Sequence, residues 1–137
     1  MTRDTKVIGS TVIISIPVGG LYDLPAKVDT GADGSSIWAT KIKVKDGVLE
    51  FCLLGPSSDN YSGQVVKTKD FKIVRVHNSF GHSEIRYKVT LSVLLEGHKV
   101  RARFTLANRN VKSYPALIGR RLLNRRFIVD VSKADKL

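Results

Sequence analysis

A turn at Asp29-Thr30-Gly31 most constrains this chain, because it ends an apolar stretch on a single acidic side chain. Gly31 permits a backbone shape and a close approach that a β-carbon would block, and the Thr30 hydroxyl is available to brace the turn. The triplet therefore predicts one carboxylate pointing in a fixed direction. Taken alone, the same residues are also ordinary turn chemistry and need no further function.

A second segment, Pro115-Ala116-Leu117-Ile118-Gly119-Arg120, lies far downstream of the turn and changes its interpretation. With both in hand, the chain resembles the retropepsin-like aspartic peptidases, whose motifs are hydrophobic-Asp-Thr-Gly-Ala and a later hydrophobic-hydrophobic-Gly-Arg before a short helix. The order of segments is most similar to a bacterial retropepsin-like group often labelled as ATP-dependent zinc proteases. The resemblance covers roughly residues 7–131, and its other shared pieces are Ile8-Gly9, Ala26 to Ala32, Phe104-Thr105-Leu106, Asn108-Arg109 and Tyr114-Pro115.

The resemblance implies an all-β fold, a retropepsin-like closed β-barrel with a flap hairpin and one short helix after Gly119. The residues agree, since runs rich in β-branched side chains alternate with turn signals. Asp46-Gly47 predicts a tight hairpin. We expect strands at 7–18 (one or two), 21–28, 42–45, 48–54, 65–76, 83–95, 98–106, 115–119 and 127–131.

Hydrolysis of a peptide by an aspartic peptidase needs two carboxyl groups that share one proton around a water. At a separation of about 3 Å they do not both ionise, so one acts as the base and the other as the acid. This chain has one such loop, with Asp29, Thr30 and Gly31 as the catalytic residues that the resemblance implies. The second carboxylate is then Asp29 of another copy, and the active species is a two-fold symmetric homodimer.

Substrate contacts are expected from both sides of the cleft. Ala32 and Asp33 follow the catalytic turn, and Ser79, Phe80 and Gly81 occupy the place where related enzymes carry the tip of the flap. A glycine and an apolar residue suit a mobile tip that closes on a ligand and excludes water. A plain hairpin turn explains the same residues.

Four residues of the second segment are expected to support the catalytic loop. By the resemblance, Arg120 pairs with Asp33, and its guanidinium fork suits a bidentate contact. Leu117 and Ile118 pack under the Asp29 loop, and Gly119 precedes the short helix. Trp38 stands where the bacterial group carries a histidine, so a role that rests on that histidine does not carry over. A single tryptophan beside the loop favours a place in the core or in a pocket wall over a catalytic one.

The charge limits the classes of partner, and the cysteine content limits the cellular location. The chain has 23 Lys and Arg against 12 Asp and Glu, a net charge of +11. This excess favours anionic partners, acidic peptides among them, while nucleic acid is disfavoured because no aromatic-rich RNA-binding pattern accompanies the charge. The single Cys52 excludes an internal disulfide and is consistent with a reducing, cytoplasmic location. No signal peptide or membrane span is apparent.

The remaining expectations are brief. Residues 1–137 are expected to form a single domain, with 1–6 and 132–137 as loose tails. No cofactor or metal is expected, because His77, His82 and His98 lie outside any zinc-protease motif. The alternative to an aspartic endopeptidase is a catalytically weak domain of the same fold that binds peptides or assembles with an acidic partner.

Overall fold

A computed structural model describes residues 5–77, 80–108 and 114–133 of the chain. These residues form eleven strands, one α-helix and a 3-10 turn at Pro17–Gly19. The strands are β1 (Lys6–Ile8), β2 (Thr11–Ile16), β3 (Leu21–Val28), β4 (Ser35–Lys45), β5 (Val48–Leu53), β6 (Val65–Thr68), β7 (Phe71–His77), β8 (Ser83–Leu95), β9 (His98–Ala107), β10 (Ala116–Ile118) and β11 (Phe127–Val129); the helix α1 is Arg120–Leu123.

Six strands close into a barrel. Their order is β10-β3-β2-β8-β9-β4, and β4 also pairs with β10, which joins the two ends. Side chains along each strand alternate between the interior and the surface. In β8, for example, Val89, Leu91, Val93 and Leu95 are buried, while the residues between them are not. The predicted all-β barrel, with one short helix after Gly119, is confirmed.

Two predicted hairpins are present. Asp46 and Gly47 both have positive φ, 53° and 76°, as a tight turn between β4 and β5 requires. The predicted flap corresponds to β7 and β8, which pair antiparallel from Phe71↔Val89 to His77↔Ser83. A long hairpin is therefore present where the resemblance placed the flap.

Two strand boundaries differ from the sequence-based expectation. β4 runs through from Ser35, with an irregularity in its pairing at Lys41, where φ is 55°. The strand expected at 65–76 is divided, because the Asp70 N–H donates to the Thr68 hydroxyl at 3.0 Å and turns the chain. Local side-chain hydrogen bonds of this kind compete with a continuing ladder.

The expected tails are shorter than predicted. Lys6 belongs to β1, which pairs parallel with β11, and its Nζ donates to the Glu96 carbonyl oxygen at 2.7 Å. At the other end, the Lys133 carbonyl oxygen accepts the Ser10 N–H at 2.8 Å. Residues 6 and 133 are therefore tied to the fold, while 1–4 and 134–137 lie outside the described residues.

Glu50 of β5 provides a pH-dependent contribution to stability. Its carboxylate lies 3.3 Å from the Nζ of both Lys43 and Lys67, and hydrogen bonds from these lysines hold the pKa of Glu50 below its usual value. Because the folded pKa is the lower one, the stabilisation is present above the unfolded pKa and is lost as pH falls through the folded pKa.

We therefore expect Glu50→Gln to reduce the fall in Tm that the wild-type protein shows as pH drops from neutral into the carboxyl range. The effect is small, because both lysines are exposed. Thermal unfolding across this pH range measures it. In a Lys43→Gln/Lys67→Gln background the Glu50 change should add nothing, and equal effects in both backgrounds would contradict the assignment.

Candidate active site

Asp29 is held where β3 ends. Its backbone N–H donates to the Ile118 carbonyl oxygen at 2.8 Å, and its Oδ1 accepts the Gly31 N–H at 3.1 Å. The Asp29 residue is half-buried, while Thr30 and Gly31 are exposed. One carboxylate oxygen is thus fixed by its own turn, and the loop remains open to solvent.

β10 lies between the two strands that flank the loop. Leu117 and Ile118 pair in parallel with Lys27 and Val28 of β3, while Leu117 also pairs antiparallel with Ser36 of β4. Ile118 is fully buried. This pairing brings two segments that are distant in sequence to one site, and the supporting role expected of Leu117 and Ile118 under the Asp29 loop stays a prediction.

Gly119 sits against the far side of the same loop. A Cβ built on it would lie 2.3 Å from the Gly34 carbonyl oxygen and 3.0 Å from that of Ala32. Its N–H donates to the buried Ser35 hydroxyl at 2.9 Å. Glycine is therefore required for close contact between two backbones. The sequence analysis missed Ser35, because a serine before a strand gives no sign of a partner at position 119.

Replacing Ser35 by alanine should leave the Gly119 N–H buried without its acceptor. We expect Ser35→Ala to lower the free energy of unfolding by about 1–3 kcal/mol. Ser36→Ala is the matched control, since no described residue hydrogen-bonds the Ser36 side chain, and it should change stability by less than about 0.5 kcal/mol. Urea denaturation measures both, and equal losses would contradict the role of Ser35.

The predicted pair between Asp33 and Arg120 has a different geometry. Arg120 Nη2 lies 3.8 Å from Asp33 Oδ1, while the shorter contact, 2.9 Å, joins Arg121 Nε to Oδ2. The Arg120 Nη1 instead donates to the Thr30 carbonyl oxygen at 2.9 Å. The expected bidentate contact is therefore replaced by two arginines sharing one carboxylate. Since all three side chains are more than half exposed, the ion pairs themselves stabilise the fold little.

The bonds that join helix to loop are chiefly from the backbone. The Arg120 N–H donates to the Ala32 carbonyl oxygen at 2.8 Å, and the Arg121 N–H donates to that of Asp33 at 3.0 Å. Ala32 and Asp33 are thereby fixed at the edge of the loop, next to Thr30. Their expected contacts with substrate remain predictions.

Two expectations about the turn itself need correction in detail. The φ of Gly31 is not in the left-handed region, and a Cβ there would meet only Asp29 Oδ1, at an ordinary 3.4 Å. Within the described chain, no hydrogen bond from the Thr30 hydroxyl braces the turn. The turn is held instead by two hydrogen bonds, from the Gly31 N–H to Asp29 Oδ1 and from the Arg120 guanidinium to the Thr30 carbonyl oxygen. The part of the prediction that still applies is that Gly31, which has no side chain, leaves space for a group that approaches the loop.

At the end of the β7–β8 hairpin, Phe80 is 85% exposed and Gly81 has a φ of 82°. A positive φ favours glycine in a tight turn. Nothing lies within 4 Å of the position where a Gly81 Cβ would be. Ser79, the third residue predicted for the tip, lies outside the described residues.

Other residues singled out by the sequence occupy structural positions. Trp38 is buried, as expected, and its ring covers Gly55, where a Cβ would be 2.5 Å from the ring. The Cys52 thiol is also buried. Over residues 5–77, 80–108 and 114–133, no three His, Cys, Asp or Glu side chains lie together as a metal site would require. No helix in the described part of the chain is both long and apolar enough to span a membrane.

A family model described as RimB-like, "Retropepsin-like aspartic endopeptidase RimB", matches residues 9–135. The chain belongs to the RimB-like family. The retropepsin-like assignment from the Asp29 and Gly119-Arg120 segments is thereby confirmed. The narrower affiliation with the bacterial group labelled as ATP-dependent zinc proteases is not confirmed.

Curated relatives of this RimB-like chain carry a different name. Proteins named probable alpha-L-glutamate ligase from Shewanella pealeana and Desulfotalea psychrophila are 29% identical over 140 residues and 32% identical over 133 residues. These matches cover 98% and 91% of this chain but only 30% and 28% of the relatives. The chain therefore spans less than a third of the length of these proteins.

The fold also has a solved counterpart. The crystal structure of a Legionella pneumophila protein of unknown function matches with a TM-score of 0.70 and 22% identity. The match covers 95% of this chain and 96% of that one. At this identity the likeness concerns the fold.

Proposed function

We propose that this RimB-like chain is an aspartic endopeptidase that hydrolyses peptide bonds with a water held between Asp29 of two subunits. The observation that carries the proposal is the position of Asp29, whose backbone is bonded to Ile118 while its carboxylate stands in an open loop. A carboxylate fixed in direction but accessible is what general acid–base catalysis requires. The family description supports the same reaction.

The second carboxylate comes from a second copy. In the described chain, Asp33 is the acidic residue beside Asp29, and it is engaged by Arg120 and Arg121. Retropepsin-like domains commonly dimerise. With two Asp29 side chains across a two-fold axis, one removes a proton from the water as its oxygen attacks the carbonyl carbon. The other donates its proton to the carbonyl oxygen. The first Asp29 then passes the proton from water to the amide nitrogen, the second takes a proton back from a hydroxyl of the tetrahedral intermediate, and the C–N bond breaks to release the amine and the carboxylic acid.

Acidic peptides are the substrates that fit best. The net charge of +11 raises the local concentration of anionic chains around the protein. The relatives named as alpha-L-glutamate ligases support the same class of substrate, because their name states that they act on glutamate. We infer that glutamate-rich peptides or protein tails are cleaved, with the β7–β8 hairpin closing over them and Phe80 and Gly81 at its tip.

The second candidate is a binding module that does not hydrolyse peptides. The observation that favours it is the occurrence of a similar segment within larger proteins named as ligases, where the segment accounts for 28–30% of the length. Such a module would present glutamate-rich chains to another domain.

Mass spectrometry of a mixed peptide library, incubated with the protein between about pH 4 and 7, separates the two candidates. New fragments that are absent with Asp29→Asn support the endopeptidase. Peptides that bind equally to the wild-type protein and to Asp29→Asn, and that neither protein fragments, support the binding module.

A further inference from the structure

One face of the β8–β9 hairpin points away from the barrel interior and is rich in positive charge. Residues directly opposite each other on antiparallel strands lie on the same face, so register defines this surface. Lys88 pairs with Thr105, Thr90 with Arg103, Ser92 with Arg101 and Leu94 with Lys99. We call this surface the outer basic face; its cations are Lys72, Lys88, Lys99, Arg101 and Arg103, bordered by Arg121 and Arg126.

A cavity of about 350 Å³ lies at the edge of this face. Lys88, Arg101 and Arg103 line it from the sheet, and Arg121 and Arg126 line it from the helix side. Gly34 and Ser35 form part of its wall, whereas Asp29, Thr30 and Gly31 do not line it. The cavity therefore adjoins the catalytic loop but is a separate site.

The cations that the sheet contributes to the outer basic face have no ion-pair partner among the described residues. Over residues 5–77, 80–108 and 114–133, no carboxylate lies within ion-pair distance of Lys88, Lys99, Arg101 or Arg103. Arg121 is the exception, since it contacts Asp33. Lys72 and Lys88 lie directly opposite each other on neighbouring strands, and like charges in this position destabilise a sheet. A bound anionic chain would relieve this repulsion. Ligand binding therefore accounts for a concentration of cations that folding alone does not require.

The spacing of the cations identifies the form of the ligand. Lys99, Arg101 and Arg103 are alternate residues of β9 and therefore recur about every 6.6–6.8 Å along the strand. Alternate side chains of an extended peptide recur at the same distance. Carboxylates also match guanidinium groups in bidentate geometry. An extended polypeptide with acidic side chains would thus meet successive cations in register.

We propose that the outer basic face is an exosite that holds an acidic polypeptide tract outside the catalytic cleft. The inference rests on the proposed function, because it supposes that the bound tract belongs to the substrate. Single-stranded nucleic acid is the poorer fit, because its binding sites stack bases on aromatic rings. The described residues of the outer basic face include no aromatic side chain, and Tyr87 of β8 points to the other side.

Fluorescence anisotropy with a labelled oligoglutamate peptide tests the exosite. The protein carries Asp29→Asn, so that the peptide is not cleaved and binding is measured whether or not the wild-type protein is a peptidase. We expect Arg101→Glu/Arg103→Glu to weaken binding by about tenfold or more. The matched control is Lys45→Glu/Lys69→Glu, which changes net charge equally at exposed lysines that do not line the cavity. It should weaken binding by less than about threefold in physiological salt.

Three results would overturn the exosite. Equal losses in the two variants would reduce the effect to net charge, and absence of oligoglutamate binding would remove the site. Tighter binding of a single-stranded RNA of the same charge, lost in the Arg101/Arg103 variant, would make the face a nucleic-acid surface. If the charge-reversed variant Arg101→Glu/Arg103→Glu unfolds, Arg101→Gln/Arg103→Gln replaces it, because removing like charges preserves stability. Oligoglutamate binding by this protein without cleavage by the wild type would contradict only the proposed function.

Discussion

Asp29→Asn should abolish peptide hydrolysis, with kcat falling by at least about a thousandfold. The asparagine side chain neither removes a proton from the attacking water nor supplies the shared proton of the pair. Its carbonyl oxygen still accepts the Gly31 N–H, so the loop should keep its shape. Fragment release from a glutamate-rich peptide measures activity, and an unchanged Tm shows that the fold is retained.

Mixing the two proteins tests the shared site. If subunits exchange and pair at random, an equal mixture of wild-type and Asp29→Asn chains leaves about a quarter of the dimers with two Asp29 carboxylates. Activity should then fall to about a quarter of that of an all-wild-type sample at the same total concentration, whereas independent monomers would retain about half. Full activity of Asp29→Asn, or retention of half the activity after exchange, would contradict the shared dyad.

Gly119→Ala should destabilise the fold by at least about 2 kcal/mol. The new methyl group would lie 2.3 Å from the Gly34 carbonyl oxygen, a backbone atom that moves only if the loop after Asp29 moves with it. The displacement would also stretch the hydrogen bond from the Gly119 N–H to Ser35. Denaturant unfolding measures the loss of stability, and hydrolysis should decline with it because the same loop carries Asp29.

Gly34→Ala is the matched control for this change. Nothing lies within 4 Å of a Cβ at position 34, and its φ is not in the left-handed region. The substitution should therefore leave stability within about 0.5 kcal/mol of the wild type. Comparable losses at 34 and 119 would show that the contact between the two backbones is not what requires glycine at 119.

The strands and the β4–β5 hairpin were predictable from local patterns, whereas closure of six strands into a barrel was expected from the family resemblance. Alternating apolar residues in β8 and β9 specify strands with one buried side, and Asp46-Gly47 specifies its hairpin by positive φ. The turn at Asp29-Thr30-Gly31 was recognisable from a short motif, and its catalytic role stays a prediction. Each of these features depends on neighbours along the chain, which is the information that a sequence presents directly.

The supports of the site depended on partners that are distant along the chain. The hydroxyl of Ser35 accepts from Gly119, and Arg121 rather than Arg120 makes the short contact with Asp33. The alternation at Lys99, Arg101 and Arg103 indicated a strand face, but only the tertiary structure showed that Arg101 and Arg103 line a cavity with Lys88 of β8 and with Arg121. The sequence determines which side chains share a face of a strand, because that follows from local geometry. Which faces meet is decided by packing across the barrel, because it depends on contacts between residues that are far apart in the sequence.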